Sequence, residues 1–192
     1  MDEIKFMVTT VFSGWLLVTD DQDWREKWNT PETSVPAFSE VHEVQLGEKI
    51  TILTFYRNPL PDENGQIDIR CDLTITKPDG SLSFQQEDMA CANETLQGNP
   101  ANLRLTSVII DFIGEIGDPY GRWTVEVTLK DVNRGVEIPL QTYFELKDTS
   151  RFTRWQLMRM RSKDGYRGEE NSIWRPQDLS SWLAAGGTQL NL

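Results

Sequence analysis

Two short acidic clusters are the first candidates for chemistry in this chain. The first consists of Asp20, Asp21 and Asp23. The second surrounds a turn and consists of Asp62, Glu63, Asn64 and Asp68. Hard oxygen ligands of this kind suit Ca²⁺, but neither spacing matches an EF-hand loop. Solvated loop charge and helix capping are the alternative, so calcium is a weak candidate and no other metal or cofactor is indicated.

Catalytic chemistry has little support in the sequence. Carboxylates that are adjacent on an extended chain point apart, whereas hydrolysis of a sugar needs two that face one cleft about 5 to 10 Å apart. His42 is the single histidine, so mechanisms that need two imidazoles are excluded. No G-x-S-x-G, Walker or G-x-G-x-x-G motif occurs. The sequence therefore names no catalytic residue and favours a non-enzymatic role.

The two cysteines suit a disulfide better than catalysis. Cys71 lies on the apolar face of an alternating segment, and Cys91 lies in a small apolar patch. A bond between them would add about 3 kcal/mol to stability in an oxidising compartment. Two separate buried thiols are the alternative. A catalytic cysteine needs an accessible thiolate and a base, which a core-facing side chain with one distant histidine lacks.

Two tryptophans are the candidate ligand-binding residues. Trp24 and Trp28 are spaced i, i+4 and therefore share one face of a predicted helix. One interpretation is an aromatic platform for a sugar ring or a peptide. The other is that the two indoles pack the helix across the open end of a β-sandwich.

Charge and hydropathy exclude several classes of partner. The 192 residues carry a net charge of −11, which repels phosphate backbones, so nucleic acid is not an expected partner. No stretch approaches the roughly 20 apolar residues needed to span a bilayer. The longest apolar window, residues 6–18, has an acidic flank and no A-x-A site after it, which argues against a clear secretory signal.

The elements that position these residues are mostly strands. Apolar and polar residues alternate over residues 67–75, 123–129 and 137–146, which predicts half-buried strands with Trp123 in the core. Further strands are predicted at residues 41–46, 50–56 and 103–113, the last central because it is apolar on both faces. One short helix is predicted at residues 23–28, with Asp23 as its cap and Glu26 completing a capping box.

The composition changes near Asp148. Residues 1–147 hold 25 acidic and 12 basic side chains, whereas residues 148–192 hold 5 and 7. We therefore predict a β-sandwich over residues 1–147 and a basic, aromatic-containing, irregular or helical extension over residues 148–192. Its stretch 151–167 would dock on the parent domain, or would bind an acidic partner, a membrane surface or RNA.

A family resemblance rests on turn and strand motifs. The segment GDPYGRWTVEV at residues 117–127, with the return strand at 136–146, resembles the last two strands of bacterial immunoglobulin-like domains. Together with DWREKWNTP at residues 23–31 and the turn KPDG at 77–80, it is similar to a family of uncharacterised bacterial proteins, usually exported. The resemblance implies an immunoglobulin-like antiparallel β-sandwich of seven to nine strands and an extracytoplasmic, periplasmic location. It implies no activity.

Three functional hypotheses follow from this pattern. The leading one is a non-catalytic binding or assembly module that recognises a protein or glycan through loops or a sheet edge. The alternative is a hydrolase or other enzyme with a carboxylate or Ca²⁺-assisted site. The third is an inhibitor or chaperone-like module that works by strand addition, for which an exposed, unpaired edge strand would be the sign.

Overall fold

The structure, a computed structural model, describes residues 11–29 and 36–148. These ranges contain nine strands and one helix, α1 (Trp24–Asn29), which follows the first strand. The strands are β1 (Ser13–Thr19), β2 (Glu43–Gln45), β3 (Lys49–Arg57), β4 (Gln66–Thr76), β5 (Leu82–Thr95), β6 (Arg104–Leu105), β7 (Ile110–Ile113), β8 (Gly121–Asp131) and β9 (Val136–Lys147).

The strands form two sheets. The first, sheet A, has the order β1-β3-β6, with β7 also paired to β3, and the second, sheet B, has the order β2-β9-β8-β4-β5. All pairings between these strands are antiparallel except that of β2 with β9. The chain changes sheets after β1, β2, β3, β5 and β7, and β1, β3 and β6 lie opposite β4, β8 and β9. This is the strand division of an immunoglobulin-like sandwich, so the predicted fold class is confirmed.

The main core lies between the sheets. Trp123 exposes 2% of its surface and packs against Phe112 and Phe144, as its place on an alternating strand predicts. The Trp123 indole N–H donates to the carbonyl of Pro119 at 3.1 Å. Gly14 allows the sheets to approach closely, because a Cβ there would collide with the side chain of Leu129.

A second apolar layer covers the outer face of sheet A. It consists of Trp24, Trp28, Leu53, Phe55, Leu103, Leu105 and Ile109. Strand β3 therefore lies between two apolar layers, with Ile50, Ile52 and Tyr56 facing the main core. This arrangement explains why residues 50–56 are buried without a break.

Residues 103–113 do not form the single central strand that their apolar character predicts. They form two short strands, β6 and β7, that pair with β3 at the margin of sheet A. Both faces are apolar because Ile110 and Phe112 enter the main core while Leu105 and Ile109 enter the second layer. Strand β9 ends at Lys147, and the predictions for the extension beyond Asp148 lie outside the described residues.

Candidate functional site

The two tryptophans of α1 are packing residues. Trp24 and Trp28 expose 4% and 3% of their surface, and the Trp28 ring lies 5.5 Å from that of Phe55. Neither indole therefore presents an open face to a ligand. This corrects the interpretation as an aromatic platform, because the shared helix face is the one that covers sheet A.

The first acidic cluster is arranged around an ammonium group rather than a cation site. Lys27 Nζ lies 2.9 Å from Asp21 and 3.2 Å from Asp23. Asp21 also accepts the backbone N–H of Ser39 at 2.9 Å, and this bond, followed by that of Lys27, lowers the pKa of the Asp21 carboxyl. Asp20 contributes its carbonyl to the Gln22 side chain.

The second acidic cluster closes a turn. One carboxylate oxygen of Asp62 accepts the N–H groups of Asn64 and Gln66, both at 2.8 Å. The bond from Gln66 is the main reason why the pKa of Asp62 is lowered. Asp68 lies 3.4 Å from Arg70. Within residues 11–29 and 36–148, no three His, Cys, Asp or Glu side chains are grouped to hold a metal ion, so neither calcium candidate is assembled.

Two further acidic residues, Glu115 and Asp118, interact in the turn before β8. Asp118 accepts the backbone N–H of Glu115 at 2.9 Å. Burial first, and then the charge of Asp118, raises the pKa of Glu115. The Asp118 carboxylate thus has a structural part in closing the turn. His42 lies elsewhere, at the sheet edge, where its ring stacks on Tyr143 at 4.9 Å.

The structure joins Cys71 and Cys91 in a disulfide, with their Cα atoms 5.9 Å apart. The bond connects β4 to β5 within one sheet. Ile69 pairs with Ala92 and Arg70 with Ala90, so Cys91 is the extra residue of a β-bulge. The bulge turns Cys91 into the core, where it is fully buried, although β5 is otherwise mostly exposed.

Strand β5 forms one edge of sheet B and pairs only with β4 among the described strands. Two backbone hydrogen bonds show which residues of β4 face β5 and therefore which residues of β5 face outward. Val132 N–H donates to Asp68 at 3.0 Å, and Leu96 N–H donates to Gly65 at 2.8 Å. Even-numbered residues of β4 thus face β8 and odd-numbered residues face β5, since backbone groups alternate along a strand.

The open positions of β5 follow from this alternation. Phe84, Gln86, Ala92 and Glu94 pair with odd-numbered residues of β4, so their backbone groups face β4. Gln85 and Asn93 lie between them and face away from the sheet. We call this side the free edge of β5. Between these two positions Ser107 occupies the edge: its N–H donates to the Cys91 carbonyl at 2.8 Å, and its hydroxyl donates to the carbonyls of Ala90 and Cys91 at 3.2 and 3.1 Å.

The opposite edge of sheet B is blocked. Strand β2 pairs with residues 145–147 of β9, and His42 accepts the N–H of Glu145 at 2.7 Å. By the same alternation, Pro139 faces outward and has no N–H to offer. Strand β5 contains no proline. The two edges therefore differ in their capacity to accept another strand.

Two features of the surface were missed by sequence reasoning. Strand β5 was not predicted, because residues 82–95 lack a regular apolar face. Trp15 was not singled out, because residues 14–18 show no alternation of apolar and polar residues that would mark an exposed position. Its indole is 37% exposed on the outer face of sheet A.

Comparisons with known proteins assign no family. No protein-family model and no curated protein matches this chain. Solved structures with some similarity include an alkylpurine DNA glycosylase of Pseudomonas fluorescens (TM-score 0.39, 17% identity, 71% of this chain and 30% of that chain). A CARDB domain from Pyrococcus furiosus, in complex with di-metal ions, has a TM-score of 0.38 and 10% identity over 77% of this chain and 98% of that chain.

A third similar structure is a family 123 glycoside hydrolase from Clostridium perfringens, with a TM-score of 0.38 and 7% identity over 72% of this chain. This chain spans less than a third of the length of the glycosylase and of the hydrolase, which it covers to 30% and 28%. At these scores none of the three assigns a ligand or an activity. In the part of the chain that the structure describes, no helix is long and apolar enough to cross a membrane.

Proposed function

We propose that this chain is a non-catalytic binding or assembly module that holds a partner protein along the free edge of β5. The observation that carries the proposal is the pair of outward-facing backbone positions at Gln85 and Asn93 on a strand of 14 residues. Main-chain hydrogen bonds to such an edge supply affinity, and side chains on the two faces supply specificity.

The disulfide supports this use of β5. An edge strand held by one neighbour is easily deformed, and a partner that binds it must bear the entropy cost of ordering it. The bond between Cys71 and Cys91 fixes β5 to β4 near its middle. The edge is thereby ordered before a partner arrives.

Charge indicates the chemistry of the partner. Strand β5 carries Glu87, Asp88 and Glu94 and no basic residue, and of these three carboxylates Asp88 forms an ion pair with a described residue, Arg70, at 2.7 Å. An added strand with Lys or Arg opposite these side chains would be favoured, and one with Asp or Glu would be repelled. The proposed partner segment is therefore extended and basic.

The proposal includes an extracytoplasmic location. Disulfides persist in oxidising compartments and are rare in the cytosol, and the resemblance to exported bacterial proteins points the same way. The enzymatic alternative has weaker support, because four carboxylates of the two acidic clusters are engaged by Lys27, Arg70 and turn N–H groups, namely those of Asp21, Asp23, Asp62 and Asp68.

The test places a proline at an outward-facing position of β5, as β9 has at Pro139. Gln85→Pro removes one outward N–H without removing a bond to β4, as Pro139 does on the other edge. Gln85→Ala is the matched control, since it changes the side chain alone. The full-length wild-type chain and both variants are used as baits in extracts of the native cell, and recovered proteins are quantified by mass spectrometry.

We expect a partner that wild type and Gln85→Ala recover equally and that Gln85→Pro loses. Thermal unfolding of the three chains shows whether the fold is retained. If Gln85→Pro retains its fold and recovers every partner at wild-type level, the edge is not the binding surface. If no chain recovers a specific partner, the binding function itself is withdrawn.

A further inference from the structure

A second surface lies on the outer face of sheet A, away from the free edge of β5. Trp15 pairs with Phe55 across β1 and β3, and the two rings stack at 5.7 Å with an angle of 27°. One face of the indole is thereby supported by a fully buried ring, and 37% of the residue stays exposed. A tryptophan held in this way is a rigid, flat, apolar surface.

Arg57 stands beside this indole. Ser13 pairs with Arg57, so Arg57 lies on the same face of the sheet as Trp15, one pair further along. Residues in this diagonal relation have Cβ atoms roughly 7–8 Å apart, within reach of long side chains. The guanidinium does not lie over an indole, because the cation-π contacts among the described residues involve Arg25 and Arg122.

Arg57 is one of four described lysines and arginines that form no ion pair with a described residue, the others being Arg25, Lys77 and Arg104. Seven pair with a carboxylate, namely Lys27, Lys49, Arg70, Arg122, Lys130, Arg134 and Lys147. The Arg57 side chain makes no ion pair or hydrogen bond with a described residue, and its Nε is buried without an acceptor, as are Nε and Nη1 of Arg104. Arg57 differs from Arg104 in being partly exposed, whereas Arg104 is buried. An external acceptor cannot reach the buried Nε, so a ligand would be held by the exposed part of the Arg57 side chain.

We propose that Trp15 and Arg57 form a binding site for an acidic sugar. The apolar face of one pyranose ring would lie on the indole, and the carboxylate of that ring would accept hydrogen bonds from the guanidinium. The apolar area favours a single ring over a protein partner. The apolar neighbours on this face, Leu17 and Phe38, are partly buried in the second apolar layer, which leaves Trp15 as the exposed aromatic surface for one ring.

The site is separate from the one proposed for a partner protein. Trp15 and Arg57 belong to sheet A, whereas Gln85 and Asn93 belong to sheet B. Failure of the sugar site leaves the free edge of β5 untouched, and the reverse also holds.

Isothermal titration calorimetry of the full chain tests the proposal, with hexasaccharides of galacturonate, mannuronate and glucuronate as probes and cellohexaose as the neutral control. We expect at least one acidic probe to bind and cellohexaose not to bind. Trp15→Ala and Arg57→Gln should each weaken binding about tenfold or more, a loss of about 1.4 kcal/mol. Trp15→Phe, which keeps a ring, should lose less than Trp15→Ala.

Arg25→Gln is the matched control, since it removes one positive charge next to a buried tryptophan and should bind like wild type. Equal weakening by Arg25→Gln and Arg57→Gln would show general charge attraction and overturn the proposal. Binding of none of the acidic probes would also overturn it. A glutamate-rich peptide that binds through Trp15 and Arg57 while the sugars do not would assign the surface to a protein partner instead.

Discussion

The burial of Trp28 leads to a quantitative prediction. Trp28 and Trp15 both contact the ring of Phe55, but Trp28 exposes 3% of its surface and Trp15 exposes 37%. A fully buried tryptophan removes about 200 Å² from water, which at about 25 cal/mol per Å² corresponds to about 5 kcal/mol. Residual burial in the unfolded chain reduces this to about 3 to 4 kcal/mol. The same reasoning gives about 2 kcal/mol for Trp15.

Trp28→Ala should therefore lower the free energy of unfolding by about 3 to 4 kcal/mol, and Trp15→Ala by about 2 kcal/mol. Urea denaturation followed by circular dichroism measures both on the full chain, and fitting the slopes shows whether the two-state description holds. Equal losses in the two variants, or a loss below about 1 kcal/mol for Trp28→Ala, would refute the claim that α1 packs on sheet A.

The remaining predictions concern the sheets themselves. Replacing Cys91 with Ala should lower stability by about 3 kcal/mol without reductant, and excess reductant should abolish the difference from wild type; equal stability without reductant would show that no bond forms. The pKa of Asp72 is lowered by the N–H of Asp88 and then by Lys130, so its carboxylate stabilises the fold above pH 3.8 and this stabilisation is lost as pH falls through the lowered folded-state pKa. Urea midpoints should show Asp72→Asn about 1 kcal/mol less stable at neutral pH and equal to wild type in strong acid; a pH-independent difference would contradict this. Gly14→Ala should lower the thermal midpoint, because its Cβ would meet packed atoms of the opposite sheet, at a cost of about 1 to 3 kcal/mol; an unchanged midpoint would place the sheets further apart.

The half-buried strands could be predicted from the sequence because their environment is periodic. Strands β4, β8 and β9 each bury one face against sheet A and expose the other, so apolar residues recur at every second position. The turns that begin or end these strands contain glycines with positive φ, namely Gly65 before β4, Gly80 after β4 and Gly135 between β8 and β9. Local sequence therefore determines both the strands and their ends.

Strand β5 could not be predicted in this way, because its pairing is set by β4 and not by a buried face. Its residues are mostly exposed on both sides, and its bulges interrupt any alternation. The prediction of one central strand over residues 103–113 was wrong for a different reason. Two separate apolar layers use the same short segment, and a sequence shows that a residue is buried but not against which layer.

For the candidate sites too, local sequence determines some features and long-range contacts determine others. The spacing of Trp24 and Trp28 correctly places them on one helix face, but the partner of that face is Phe55, which is distant in sequence. The free edge of β5 depends on the order of strands in sheet B. Strand order is a long-range property, and no local pattern at Gln85 or Asn93 reports it.

Hydrogen-deuterium exchange at single-residue resolution tests the central claim most directly. In the free protein the amides of Gln85 and Asn93 should exchange much faster than those of Gln86 and Ala92, which face β4. Addition of the partner should slow exchange at Gln85 and Asn93. Slow exchange at both positions in the free protein, or protection by the partner confined to other strands, would contradict the account.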